Sequence, residues 1–163
     1  MFVVNIISFL LEQLILATFD KNSIFIPLFS LISLIITYQL LKNKKNLIYV
    51  GLVMGLLYDI ALTQTLFLNT LLFMLVSLII IYYYSITSTK LIYTIILTII
   101  SIVVYRTITY IVYILFTIEP FNFFELLKGI YSSLIINIIY IVIIQLIFNK
   151  KIKRRKKDTE YTY

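Results

Sequence analysis

Between residues 66 and 117 the chain carries only two charged side chains, Lys90 and Arg106. Apolar runs of about 20 residues match the ~30 Å hydrocarbon core of a bilayer when wound as helices. Backbone N–H and C=O groups find no water there, so each run must satisfy its own hydrogen bonds. Six such runs can be marked, over residues 2–19, 23–41, 47–62, 66–86, 91–117 and 129–148. The expected fold is all-α: a polytopic membrane protein with a six-helix transmembrane bundle over residues 1–149 and a basic tail over 150–163. Charged residues make up 13% of the chain, against about 25% in soluble domains, and no stretch is left for a soluble domain. The first run reads as a retained helix and not a signal peptide. It lacks a basic leader, Glu12 and Gln13 interrupt it, and no small-residue cleavage site follows.

Orientation follows from the cations. With six helices, Lys42, Lys44, Lys45 and Lys90 share one side with Lys150, Lys151, Lys153, Arg154, Arg155, Lys156 and Lys157. The opposite side holds Lys21 and Lys128, beside Asp20, Glu119 and Glu125. The positive-inside rule puts the basic side, and with it both termini, in the cytoplasm. A five-helix arrangement would divide the three-lysine loop from the tail. The net charge of +7 is thus a topology signal and no sign of a nucleic-acid partner. The seven tail cations are expected to contact anionic lipids, at about 1 kcal/mol each. Tyr82, Tyr83 and Tyr84 close the fourth run where an aromatic belt would lie.

The polar residues inside the runs are patterned. Asn5, Ser8 and Glu12 form one stripe of the first helix, and Ser30, Ser33 and Thr37 one stripe of the second. Gly51, Gly55 and Asp59, each four apart, form another on the third. Two glycines at that spacing admit a neighbouring backbone, either within the chain or from a partner. Pro27 falls where the second helix begins, a position that tolerates proline. Ser133, Asn137 and Tyr140 align on the sixth helix. A charge at mid-membrane costs at least ~2.5–3.5 kcal/mol. Three such residues occur, Glu12, Asp59 and Arg106, at depths of roughly 15, 18 and 22 Å from the cytoplasmic helix ends, taking about 1.5 Å per residue. They either pair with one another as a structural cluster or leave Asp59 to meet a partner helix. No further acids continue a proton path.

Catalysis finds little support. Histidine and cysteine are absent, which removes the commonest base and metal ligand and any thiolate site. An intramembrane aspartyl protease needs two aspartates, and only Asp59 lies in a span. No catalytic residue, metal or cofactor is expected.

The stretch from Gly51 onward resembles the MreD family of rod shape-determining proteins. The family signature is a glycine, a second glycine four residues on, a leucine and an aspartate, then a short turn and a Leu/Asn-containing helix start. Gly51, Gly55, Leu56 and Asp59 match the first part, and Leu66, Leu68 and Asn69 the second. The family commonly has glycine in the turn, where Phe67 stands here. The resemblance implies a non-catalytic inner-membrane scaffold of the cell-elongation complex. It would contact the bitopic protein MreC and work alongside MreB-like filaments and wall-synthesis enzymes, with Gly51, Gly55, Asp59 and Asn69 as partner-contact or structural residues. The alternative is the substrate-binding subunit of an energy-coupling-factor vitamin transporter, which is similar in layout. Against it, the first helix has one alanine, Ala17, in place of the spaced pair such subunits use for docking.

Overall fold

In the computed structural model, residues 2–18, 26–63, 67–117 and 120–160 are described. They form six α-helices and no strand: α1 (Phe2–Thr18), α2 (Phe29–Leu40), α3 (Leu47–Tyr58), α4 (Leu68–Ile86), α5 (Leu91–Thr117) and α6 (Phe123–Glu160). A 3-10 turn over Lys44–Asn46 leads into α3, and a π-helical turn over Asp59–Thr63 leaves it. Three helical stretches are long and apolar enough to cross a membrane: Leu68–Ile86, Leu91–Thr117 and Phe123–Asn149. Helices α1 and α2 are apolar but shorter.

Helix α2 is the axis of the molecule. All twelve of its residues are buried, and it packs against each of the other five helices. A helix covered on every side can be apolar all round, and here Ser30, Ser33, Thr37 and Gln39 Nε2 bond to neighbouring helices, while Gln39 Oε1 is buried without a partner. It begins later than its apolar run suggests, because residues 26–28 are not helical. Pro27 donates no N–H and pushes the residue before it out of helical geometry. Buried backbone that is not helical must be satisfied by other parts of the protein, and α6 does so. Ile26 N–H donates to the Ser132 carbonyl at 3.1 Å. Asn137 Oδ1 accepts from Leu28 N–H at 2.9 Å while its Nδ2 donates to the Ile26 carbonyl at 3.3 Å.

Helix α5 has the ends its apolar run predicts. Helix α6 is longer in both directions. It starts at Phe123 because Asn122 caps it, Oδ1 accepting from Phe124 N–H at 3.1 Å. It continues unbroken through the basic segment to Glu160, since Lys and Arg are good helix formers and favour the C-terminal end of the dipole. The backbone therefore passes residue 150 without a break in the helix. The side chains of Lys150, Lys151, Lys153, Arg154, Arg155, Lys156 and Lys157 lie outside the described residues.

Along α6, Ile135, Ile139, Ile143 and Ile147 make an exposed apolar stripe, as do Val3, Ile7, Leu10 and Leu14 along α1. At the lysine-rich end, Tyr84 turns inward instead of joining a belt. Its ring stacks on Tyr38 with centroids 5.0 Å apart, and its hydroxyl bonds Gln39 and Thr94. Tyr82 stays exposed.

Candidate functional site: a polar layer joining six helices

The glycine stripe is used inside the chain. A Cβ on Gly51 would lie 2.2 Å from Ser77 Oγ and 2.9 Å from the Phe73 carbonyl oxygen. One on Gly55 would lie 2.5 Å from Thr70 Cα and 2.8 Å from the Asn69 carbonyl oxygen. The two glycines thus let α3 and α4 touch backbone to backbone. That approach brings Asp59, the C-cap of α3, onto the start of α4. Its Oδ1 accepts from Asn69 N–H (3.0 Å) and Asn69 Nδ2 (2.9 Å). Its Oδ2 accepts from Thr70 N–H (2.9 Å) and Thr70 Oγ1 (2.7 Å). The first N–H groups of a helix have no partner within it and carry the positive end of its dipole. Asp59 meets both needs from the neighbouring helix.

The tight entry to α4 has a visible cost. Phe67 adopts φ 63°, ψ 0° and is the one non-glycine residue with positive φ among those described. This is the left-handed region that favours glycine, and it falls where the MreD signature has glycine. Phe67 tolerates the position with its ring exposed.

Glu12 repeats the device. It sits on α1, fully buried, at the start of α2. Its Oε2 accepts from Ser30 N–H at 2.8 Å and from the Ser30 hydroxyl. Its Oε1 accepts from the Tyr58 hydroxyl at 2.9 Å. The remaining stripe residues of α1 also bond across: Asn5 Oδ1 accepts from Ser33 Oγ (2.7 Å) and Thr37 Oγ1 (2.8 Å), and Ser8 bonds Tyr140 of α6. Arg106 bonds across to α6. Its Nε donates to Ser133 Oγ at 2.7 Å, and its Nη2 is buried without an acceptor. Each acid is met by a helix N-terminus, Glu12 at Ser30 of α2 and Asp59 at Asn69 and Thr70 of α4.

These contacts form one closed layer. Glu12 links α1 to α2 and, through Tyr58, to α3. Asp59, next in sequence and about 100° round the helix, links α3 to α4. Asn69 Oδ1 accepts from Tyr105 Oη at 2.7 Å, adding α5. Arg106 adds α6 through Ser133, and Asn137, one turn on, returns to α2 at Leu28. The Phe73 ring packs in the same region, 5.4 Å from that of Tyr58 and 6.4 Å from that of Tyr105. Sequence reasoning singles out Glu12, Ser30, Asp59, Asn69, Arg106, Ser133 and Asn137 but misses Tyr58, Thr70 and Tyr105. The available signal was adjacency: Tyr58 precedes Asp59 and Tyr105 precedes Arg106.

Chemically, the layer is a hydrogen-bond network that leaves Asn5 Nδ2 and Arg106 Nη2 without partners. Among the described residues no three potential metal-ligating side chains come together. The fold and this layer define a small helical membrane protein whose buried acids hold its own helices in register.

Comparison with known families places it further. The chain belongs to the MreD family: the family described as rod shape-determining protein MreD matches it over residues 1–154 of 163. That family's role is in determining rod shape. No curated protein matches the chain, and no solved structure does.

Proposed function

We propose that this protein is a non-catalytic scaffold of the cell-elongation complex in the bacterial inner membrane. It would position or regulate lateral peptidoglycan synthesis through contact with a bitopic MreC-like protein, alongside MreB-like filaments and wall-synthesis enzymes. The observation that carries this reading is the family match over nearly the whole chain. The chemistry of the layer supports it, since the buried polar groups serve rigidity. Gly51, Gly55, Asp59 and Asn69 act here by holding the α3–α4 hairpin in shape.

On this reading all six helices cross the membrane and both termini are cytoplasmic. Eleven cations would then lie inside, four in loops and seven in the tail, and the tail helix would rest on anionic lipid. The test is co-expression with the MreC-like protein, followed by detergent extraction and size exclusion. A stable complex is expected, with reporter fusions placing both ends in the cytoplasm. Separate elution, with a vitamin co-purifying with the chain, would overturn the reading in favour of a transporter subunit.

A further inference from the structure

A cleft of about 210 Å³ opens between α5 and α6 beyond the polar layer, on the side away from the lysine-rich loops. Arg106, Tyr110 and Tyr113 line it from one stripe of α5, and Glu125 and Gly129 line it from α6. Its outer end is built firmly. The Tyr110 hydroxyl donates to the Asn122 carbonyl (2.9 Å) and accepts from Asn122 N–H (3.0 Å), which ties the start of α6 to α5. Its inner end holds a cation with an unused donor, the buried Nη2 of Arg106. Buried donors are almost always bonded, and a guanidinium with a free N–H suits an oxyanion. Glu125 is exposed and brings a negative charge to the same cleft. One end therefore suits an anion and the other a cation.

The spacing of the two charges can be worked out. Arg106 bonds Ser133, and Glu125 lies eight residues before Ser133 on α6, about 12 Å along the axis at 1.5 Å per residue. A phosphate and an ammonium about 4–5 Å apart, with a hydrogen bond of about 3 Å at each end, span on the order of 11 Å. The polarity also agrees with a bilayer. Arg106 is the deeper of the two and would take the phosphate, and Glu125, near the helix end, would take the outward ammonium. The tyrosine rings between them offer faces for a cation. The volume falls below the ~300–1,000 Å³ of ordinary small-molecule pockets. Next to it, Leu115, Phe116 and Phe124 are exposed apolar side chains against which acyl chains can lie.

We propose that the α5–α6 cleft binds the zwitterionic headgroup of a membrane lipid, its phosphate on Arg106 and its ammonium at Glu125. The proposal needs only a membrane-embedded chain and is independent of contact with an MreC-like protein. Two substitutions probe it without touching the polar layer. Glu125→Gln removes the outer charge at an exposed position. Gly129→Leu fills the cleft, since a Cβ there meets nothing within 4 Å and helix propensity improves.

The experiment measures lipid binding to the detergent-purified full chain by native mass spectrometry and by thermal shift. The probes are phosphatidylethanolamine, phosphatidylglycerol and soluble phosphoethanolamine. Expected is a preference for phosphatidylethanolamine over phosphatidylglycerol, reduced about fivefold by Glu125→Gln, as for a partly exposed ion pair. Gly129→Leu is expected to abolish the thermal shift while leaving the lipid-free midpoint unchanged or raised. Equal binding of the two lipids, or an unchanged preference in Glu125→Gln, would overturn the headgroup assignment. So would soluble phosphoethanolamine binding as well as the lipid, because the source would then be solution.

Discussion

The two buried acids look alike in sequence, yet the structure predicts opposite tolerance to losing a charge. At Asp59 each oxygen faces a backbone N–H, that of Asn69 on Oδ1 and that of Thr70 on Oδ2. Asparagine keeps the shape but accepts at one oxygen only. Whichever way its amide turns, a backbone N–H faces an NH₂ group, and a backbone donor cannot reverse. A lost hydrogen bond to a charged acceptor is worth ~1.5–3 kcal/mol and an orphaned buried donor ~1–3, so Asp59→Asn should destabilise by about 3–5 kcal/mol. At Glu12 both Ser30 donors converge on Oε2, and Oε1 faces only the Tyr58 hydroxyl. Glutamine can keep its carbonyl toward Ser30 and donate to the phenol, which also accepts. Glu12→Gln should cost about 1 kcal/mol. Unfolding free energies from SDS titration, followed by helical circular dichroism, compare the two directly. If Glu12→Gln were as damaging as Asp59→Asn, or if Asp59→Asn cost under about 1 kcal/mol, the capping geometry would not be what holds these helices.

Three further outcomes can be read in the same titration. Gly55→Ala should destabilise by about 2–3 kcal/mol, since its Cβ meets the Thr70 backbone at 2.5 Å and backbone cannot step aside; a neutral result would mean α3 and α4 do not touch there. Phe67→Gly should stabilise by about 0.5–1 kcal/mol, because relief of the left-handed strain exceeds the entropy glycine adds to the unfolded chain; destabilisation would show that the exposed ring has a contact of its own. Asn137→Leu should cost about 1–3 kcal/mol by stripping Leu28 N–H of its acceptor, and an unaffected variant would remove Asn137 from the account of how α2 begins.

Much of the layer was legible beforehand. Ser30, Ser33 and Thr37 on one helix and Asn5, Ser8 and Glu12 on another announce faces that must meet, because a polar stripe in an apolar helix needs a partner. Five of these six residues bond across the α1–α2 contact, and Ser8 reaches α6 instead. The glycine–aspartate stripe likewise marks a close approach, though not whose backbone approaches. The start of α2 was not legible. The apolar run continues from residue 23 without a break, and only the acceptors on α6 and α1 reveal that residues 26–28 are not helical.

What the amino-acid order settles without further help is the class: helices in a membrane, few charges, a family signature from Gly51 to Asn69. These follow from local properties, since hydropathy and the need to close every backbone hydrogen bond act within a single run. Tertiary structure alone decides which partner each buried acid takes. Depth along a helix places Glu12, Asp59 and Arg106 at similar levels, which makes mutual pairing plausible on paper. In the folded chain each acid accepts hydrogen bonds from the N-terminus of a neighbouring helix. Only packing brings them there, and Arg106 is left facing Ser133 and the cleft.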